Sequence, residues 1–142
     1  MPQATAAAII TSRQAGRMHI LLTRRARHLS FPGEWCLPGA HIEPYEKARN
    51  AVIREVKEET GLYFEAQFFG CFDEIIPEQN IHAVVCVYTG EGQGEIAIRP
   101  WEVSEIEWFP VEEALNLRLA FDHHAILAAY HTAGGVQEKT FQ

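Results

Sequence analysis

The sequence predicts an α/β domain of the α+β type, a mixed β-sheet with helices packed on its faces. Three observations lead there. Apolar segments of strand length occur both before and after one strong helix. The segments do not alternate strictly with helices, so a doubly wound parallel sheet is disfavoured. The chain has 142 residues, of which 47% are hydrophobic; that is enough for one buried core and too few for two ordinary domains, so residues 1–142 are read as a single domain.

The elements follow in order. Residues 4–11 are small, then β-branched, and suit a first strand; 12–17, with Gly16, read as a turn and 18–25 as a second strand, giving a hairpin. Residues 27–34 form a polar loop, 35–37 a short extended piece that Pro38-Gly39 ends, and 41–45 a loop. Residues 46–60 are the best helix. They contain no Gly or Pro, and Gly61 follows as a C-terminal stop. Ala48, Ala51, Val52 and Val56 recur at three- and four-residue spacing and predict its buried stripe. Residues 63–76 and 81–89 read as long strands around a turn at 77–80, and 90–94, with three glycines, as a loop. A strand at 106–109, a short helix at 111–115 and a helix at 121–132, closed by Gly134-Gly135, complete the chain.

Composition limits the function. A formal net charge of −7 argues against a broad nucleic-acid-binding surface. It leaves a small anionic substrate open, because a bound cation reverses the local potential. Cys36, Cys71 and Cys86 are scattered and odd in number, so neither a disulfide framework nor a zinc site is expected, and each is read as a small core residue. Reduced thiols, no signal segment and no run of membrane-spanning length predict a cytoplasmic protein without membrane contact.

The chemistry concentrates in Arg54-Glu55-Val56-Lys57-Glu58-Glu59-Thr60-Gly61-Leu62. Residues three and four apart are neighbours on a helix, so Glu55 sits beside Glu58 and Glu59, and three carboxylates share one patch opposite the Val52/Val56 stripe. Such like-charge pairs destabilise a helix by a few tenths of a kcal/mol each, about what a solvated face tolerates. A divalent cation would neutralise the patch. Magnesium prefers oxygen ligands and bridges to phosphates, so Mg2+ is the expected cofactor, with Mn2+ an alternative.

Upstream context decides between these. Ala40, five residues, Glu46, seven residues, then Arg54-Glu55-Val56-x-Glu58-Glu59-x-Gly61-Leu62 resembles the signature of the Nudix hydrolase family, G-x5-E-x7-R-E-U-x-E-E-x-G-U, with U a bulky aliphatic residue. Only the first position departs, alanine standing for glycine. Trp35-x-Leu37-Pro38-Gly39 and Trp108-Phe109-Pro110 are similar to the family's usual surroundings, so the resemblance covers most of the chain and implies an α/β/α sandwich.

The resemblance implies roles. Glu55, Glu58 and Glu59 are metal ligands, and the Ala40 backbone carbonyl is a further one. Glu46 and Arg54 brace the loop and helix by an ion pair, and Gly61 belongs to the structural motif. The base is Glu55, Glu58 or a downstream glutamate, Glu102 before Glu105. Arg25 (or its neighbour Arg24), His41 and His82 are candidates for substrate contact, and Trp35, Phe72 and Tyr88 for stacking on a base. His123, His124 and His131 lack an acidic or cysteine partner that would make a metal site.

The implied activity is Mg2+-dependent hydrolysis of a diphosphate bond in a nucleoside diphosphate linked to another group, with a small-molecule nucleotide as partner and a homodimer compatible. Residues 38–43 and 81–84 resemble nucleoside-triphosphate-processing members, and residues 119–123 ADP-ribose-related ones. Leu21-Leu22-Thr23-x-Arg25 with Leu29 and Gly33 resembles the coenzyme A diphosphatase pattern, one residue short and with Ala26 for serine. A non-catalytic nucleotide-sensing module is a second class, usually marked by a damaged glutamate set. Isoprenoid diphosphate isomerases share the fold but need a cysteine motif that Cys36 lacks.

Overall fold

A computed structural model describes the backbone of residues 1–98 and 101–141 and the side chains of 1–98 and 101–134. It is an α/β/α sandwich. The central strand, β1 (Gln3–Gln14), is antiparallel to β2 (Arg17–Arg25) through its C-terminal half and to β4 (Gly39–His41) through its N-terminal half. Its other edge runs parallel to β7 (Ile81–Gln93). β2 also carries β3 (Trp35–Cys36) and, on its far edge, β8 (Val103–Pro110). β7 carries β5 (Tyr63–Phe64) and β6 (Gln67–Ile76).

Ala6 to Ile10 are all buried because both faces of β1 are covered. Strand alternation divides them. Ala7 and Ile9, with Ile20, Leu22 and Val87, pack under α2 (Val111–Asn116) and α3 (His123–Phe141). Ala6, Ala8 and Ile10, with Leu21, pack under α1 (Ala48–Thr60) through Val52 and Val56. Each layer removes several large apolar side chains from water, at about 1.5–3 kcal/mol apiece.

The structure corrects several boundaries. β4 is a strand where a loop was expected, because Ala40 pairs with Ala6. α1 starts at Ala48 instead of Glu46: the Glu46 N–H closes a turn onto the Glu43 carbonyl, and Lys47 is extended. The expected strand 63–76 breaks at Glu65-Ala66, where Arg49 Nε takes the Ala66 carbonyl at 2.9 Å. The expected loop 90–94 is mostly strand, since β7 runs on to Gln93. Its glycines serve close packing; a Cβ on Gly90 would lie 2.5 Å from the Glu65 carbonyl oxygen. α3 begins at His123 and passes through Gly134-Gly135 to Phe141. Of the cysteines, only Cys36 is in the core; Cys71 is exposed and lies across from the half-buried Cys86, sulfurs 3.9 Å apart. Among the described residues no helix is long and apolar enough to cross a membrane.

Candidate active site

Helix α1 ends at Gly61, whose left-handed backbone (φ 82°) sends the chain back toward the sheet. Glu55 and Glu59, one turn apart, do not lie opposite the Val52/Val56 stripe as expected but beside it, and Glu59 is buried with it, so packing of that stripe carries them to the rim of the sheet. Glu59 is buried to 9% exposure and accepts the Gly39 N–H at 3.0 Å. Glu102 arrives from the turn before β8. Its carbonyl accepts the Ala26 N–H at 3.2 Å, and Val103 pairs with Arg25 across a bulge. Ligand oxygens of Glu55, Glu59 and Glu102 all lie within 4.8 Å of one another.

Crowding and burial make this cluster costly without a counter-charge. Burial first, then the Glu55 charge, pushes the Glu59 carboxyl up to about 8. Burial also raises Glu55, opposed by Arg54. An all-oxygen donor set that resists ionisation fits a hard divalent cation, which would be held by Glu55, Glu59 and Glu102. Glu58 falls outside this trio and lies 3.5 Å from Arg54 Nη1.

Arg54 forms a fork onto Glu46, Nε–Oε2 2.8 Å and Nη2–Oε1 3.0 Å, and its Nη1 also bonds Glu55. This bond, then the Glu43 N–H on Glu46, holds the Glu46 carboxyl below its ordinary value. The pair ties the loop before α1 to the helix turn bearing Glu55. Ala40 carries no strain: its φ is not positive and it lines the cleft beside Gly39 and Glu59. The glycine that sterics require is Gly39, where a Cβ would meet the Ala6 carbonyl oxygen at 2.3 Å.

A cleft of about 360 Å³ opens beside Glu59, between β1, β7 and the start of α3. Arg25 and His41 line it. Arg25 is fixed by the Ser30 carbonyl (2.6 Å) and hydroxyl (3.1 Å), with its guanidinium 4.7 Å from the Phe121 ring centre. Arg24 points away to Glu105, which therefore lies in an exposed ion pair at 2.9 Å and outside the carboxylate trio. His82 is a correction. Ile81, Ala83 and Val85 face the cleft, and alternation along β7 turns His82 to the opposite, exposed side. Trp35, Phe72 and Tyr88 pack into the two cores and not the cleft.

The sequence reading missed Glu74, Phe121 and His123 as cleft residues. His123 is buried, its Nδ1 accepts the Leu37 N–H at 3.0 Å, and burial holds it neutral, down to about 3. Phe121 has a positive φ of 57°, unusual for a bulky residue. The one sequence signal was the segment 119–123.

A NUDIX domain model matches residues 1–130. The chain belongs to the Nudix family. Members of this family are hydrolases acting on pyrophosphate bonds. Among its Nudix relatives are YvcI of Bacillus subtilis, an uncharacterized Nudix hydrolase (31% identity over 86% of this chain and 77% of the relative), and the ADP-ribose pyrophosphatase of Methanocaldococcus jannaschii (33%, 78% and 64%). The m7GpppN-mRNA hydrolase NUDT17 of Danio rerio is 32% identical over 67% of this chain, which spans only 38% of that relative's length. A MutT Nudix hydrolase from Burkholderia pseudomallei superposes with a TM-score of 0.76 at 29% identity, covering 90% of this chain and 97% of that one. The Nudix domain of Shewanella oneidensis NrtR, crystallised with ADP-ribose, has a TM-score of 0.82 at 23% identity, covering 94% and 88%, and shares the fold.

Proposed function

We propose that this Nudix domain is a Mg2+-dependent pyrophosphohydrolase that cleaves the diphosphate of a nucleoside diphosphate linked to another moiety. The observation that carries this reading is the convergence of Glu55, Glu59 and Glu102 within 4.8 Å at a cleft edged by Arg25. Glu58 adds negative charge one turn along, and the Ala40 backbone completes the rim. A bound divalent cation supplies positive charge to the phosphate oxygens and acidifies water.

The side chains divide the remaining work. Glu59 is fixed by Gly39 and Glu55 by Arg54. Glu102 receives no hydrogen bond from the described side chains or backbone, so with one oxygen toward a cation its other oxygen is open to take the proton of the attacking water. Arg25 is held rigidly enough to orient a phosphate oxygen pair, the task for which a planar guanidinium is suited. The intact glutamate set favours catalysis over a purely sensing module.

The names of the relatives direct the assay. Mg2+-dependent appearance of the hydrolysis products, nucleoside monophosphate and its partner phosphate ester or pyrophosphate, is followed by ion-exchange chromatography over nucleoside triphosphates, ADP-ribose, dinucleoside polyphosphates, a capped dinucleotide and coenzyme A. Turnover of at least one, lost with EDTA and in Glu59→Gln, is expected. Absence of turnover across the panel, or turnover indifferent to both, overturns the reading.

A further inference from the structure

We propose that Glu74 is a specificity-determining residue, accepting hydrogen bonds from the donor groups of the substrate's nucleoside half; this rests on the diphosphate-hydrolase reading above. Glu74 stands on β6 opposite Ala83 of β7, and both side chains line the cleft that also contains Glu59. Its side chain is only 7% exposed. No part of the hydrolytic machinery uses it.

The surroundings leave it half satisfied. Oε2 accepts the Asp122 N–H at 3.3 Å. His123 Nε2 lies 4.0 Å from the same oxygen. The Leu37 N–H can only donate, so His123 Nδ1 is the acceptor and the ring proton sits on Nε2. That histidine is neutral, so it offers Glu74 a dipole and no charge. Oε1 has no hydrogen-bond partner among the described residues. Burial raises the Glu74 carboxyl, the Asp122 N–H it accepts opposes this in part, and the Asp122 charge adds to the rise.

Among the described residues no buried side-chain oxygen lacks a partner, so Oε1 opens onto the cleft, where a ligand's donor can replace water as its partner. Ala7, Ile81, Ala83 and Val85, which line the same cleft, are apolar and offer a ligand no competing acceptor side chain. A nucleoside presents donors of the right kind in two places, the amino and imino N–H groups of its base and the hydroxyls of its ribose. A carboxylate favours a partner carrying such a donor and penalises the analogue without it. A carboxylate that only capped α3 would need no place in the cleft wall.

The test is equilibrium binding of nucleoside 5′-monophosphates in pairs that differ by one donor, needing neither turnover nor metal. GMP against IMP and AMP against purine riboside monophosphate report the base; AMP against dAMP reports the ribose. Wild type is expected to separate the members of at least one pair by about tenfold to a hundredfold. Glu74→Gln, nearly isosteric, is expected to bring that ratio close to one. Glu74→Asp keeps the charge and the fold but withdraws the oxygens by one methylene, and loses the ratio as well. A merely structural role weakens both members equally and leaves the ratio unchanged. An unchanged ratio in the variants, or no discrimination by wild type, overturns the proposal even where diphosphates are turned over. Failure of turnover with discrimination intact overturns the hydrolase reading instead.

Discussion

The Gly39 N–H donates to Glu59 Oε1 at 3.0 Å, tying the strand before the signature helix to the most deeply buried acid of the carboxylate trio. That bond positions the carboxylate and, by lending it a donor, partly offsets the burial that resists its ionisation.

Glu59 and Glu58 are therefore unequal. Glu59→Gln is expected to lower kcat by about two orders of magnitude or more, the worth of several kcal/mol of charge stabilisation. Glu58→Gln, whose carboxylate lies outside the trio, loses about tenfold less. Mg2+-dependent kinetics of the two variants decide it, and equal losses contradict the assignment.

Gly39 and Ala40 exchange the roles that the signature suggests. Gly39→Ala drives a methyl against the Ala6 carbonyl oxygen, and overpacking of that kind destabilises by about 1–3 kcal/mol. Ala40→Gly changes stability by about 1 kcal/mol or less, the ordinary glycine penalty in a strand. Thermal melts of both variants test the contrast.

Stability of the metal-free protein depends on pH with a definite sign. The Glu59 carboxyl titrates near 8 when folded against an ordinary value of 4.5. Between these the folded state keeps a proton the unfolded chain has lost, so stability falls as pH rises, with a slope approaching about 1.4 kcal/mol per pH unit. His123 acts oppositely: its folded value is about 3 against 6.5, so its contribution grows as pH rises through that range and is flat above it. The window from pH 6.5 to 8 thus isolates the carboxylate site. Melts in EDTA should decline across it in wild type, stay level in Glu59→Gln, and recover with Mg2+. A level wild-type profile in EDTA would contradict the buried-acid account.

Arg25→Ala is expected to raise KM about tenfold or more through loss of a charge-assisted contact, whereas His82→Ala shifts it less than about twofold, since that ring faces away from the cleft. Comparable effects would mean that substrate also contacts the outer face of β7.

Periodic features were legible from sequence alone. Ala51, Val52 and Val56 announced the buried stripe, the spacing of Glu55, Glu58 and Glu59 announced a carboxylate patch, and the signature resemblance implied the Glu46–Arg54 brace. What escaped depends on register and on contacts distant in sequence. Glu102 is a candidate base by sequence, but its place beside Glu55 and Glu59, ahead of Glu58, depends on β8 pairing with β2 across a bulge at Arg24/Arg25. That bulge sits where the two arginines part, Arg24 to Glu105 and Arg25 to the cleft. Strand parity turned His82 outward and Glu74 inward, and nothing local to either residue shows which way it faces. The glycines at 90 and 92 read as part of a loop because sequence cannot distinguish glycine chosen for φ from glycine chosen for room.

The parallel pairing of β1 with β7 has a consequence for assembly. The Thr89 hydroxyl reaches the Ile9 carbonyl across 80 residues of chain, whereas the β1/β2 and β6/β7 hairpins and α1 close locally. Long-range parallel closure is slow, because loop entropy must be overcome before any pairing is gained. The cleft walls are therefore expected to meet late in folding, after α1 and the local hairpins. Pulse-labelled hydrogen exchange during refolding should protect α1 amides before the β1–β7 ladder. Until that ladder closes, the open edge of β1 is the place where two unfinished chains would adhere, so refolding yield should fall with protein concentration faster than native stability suggests.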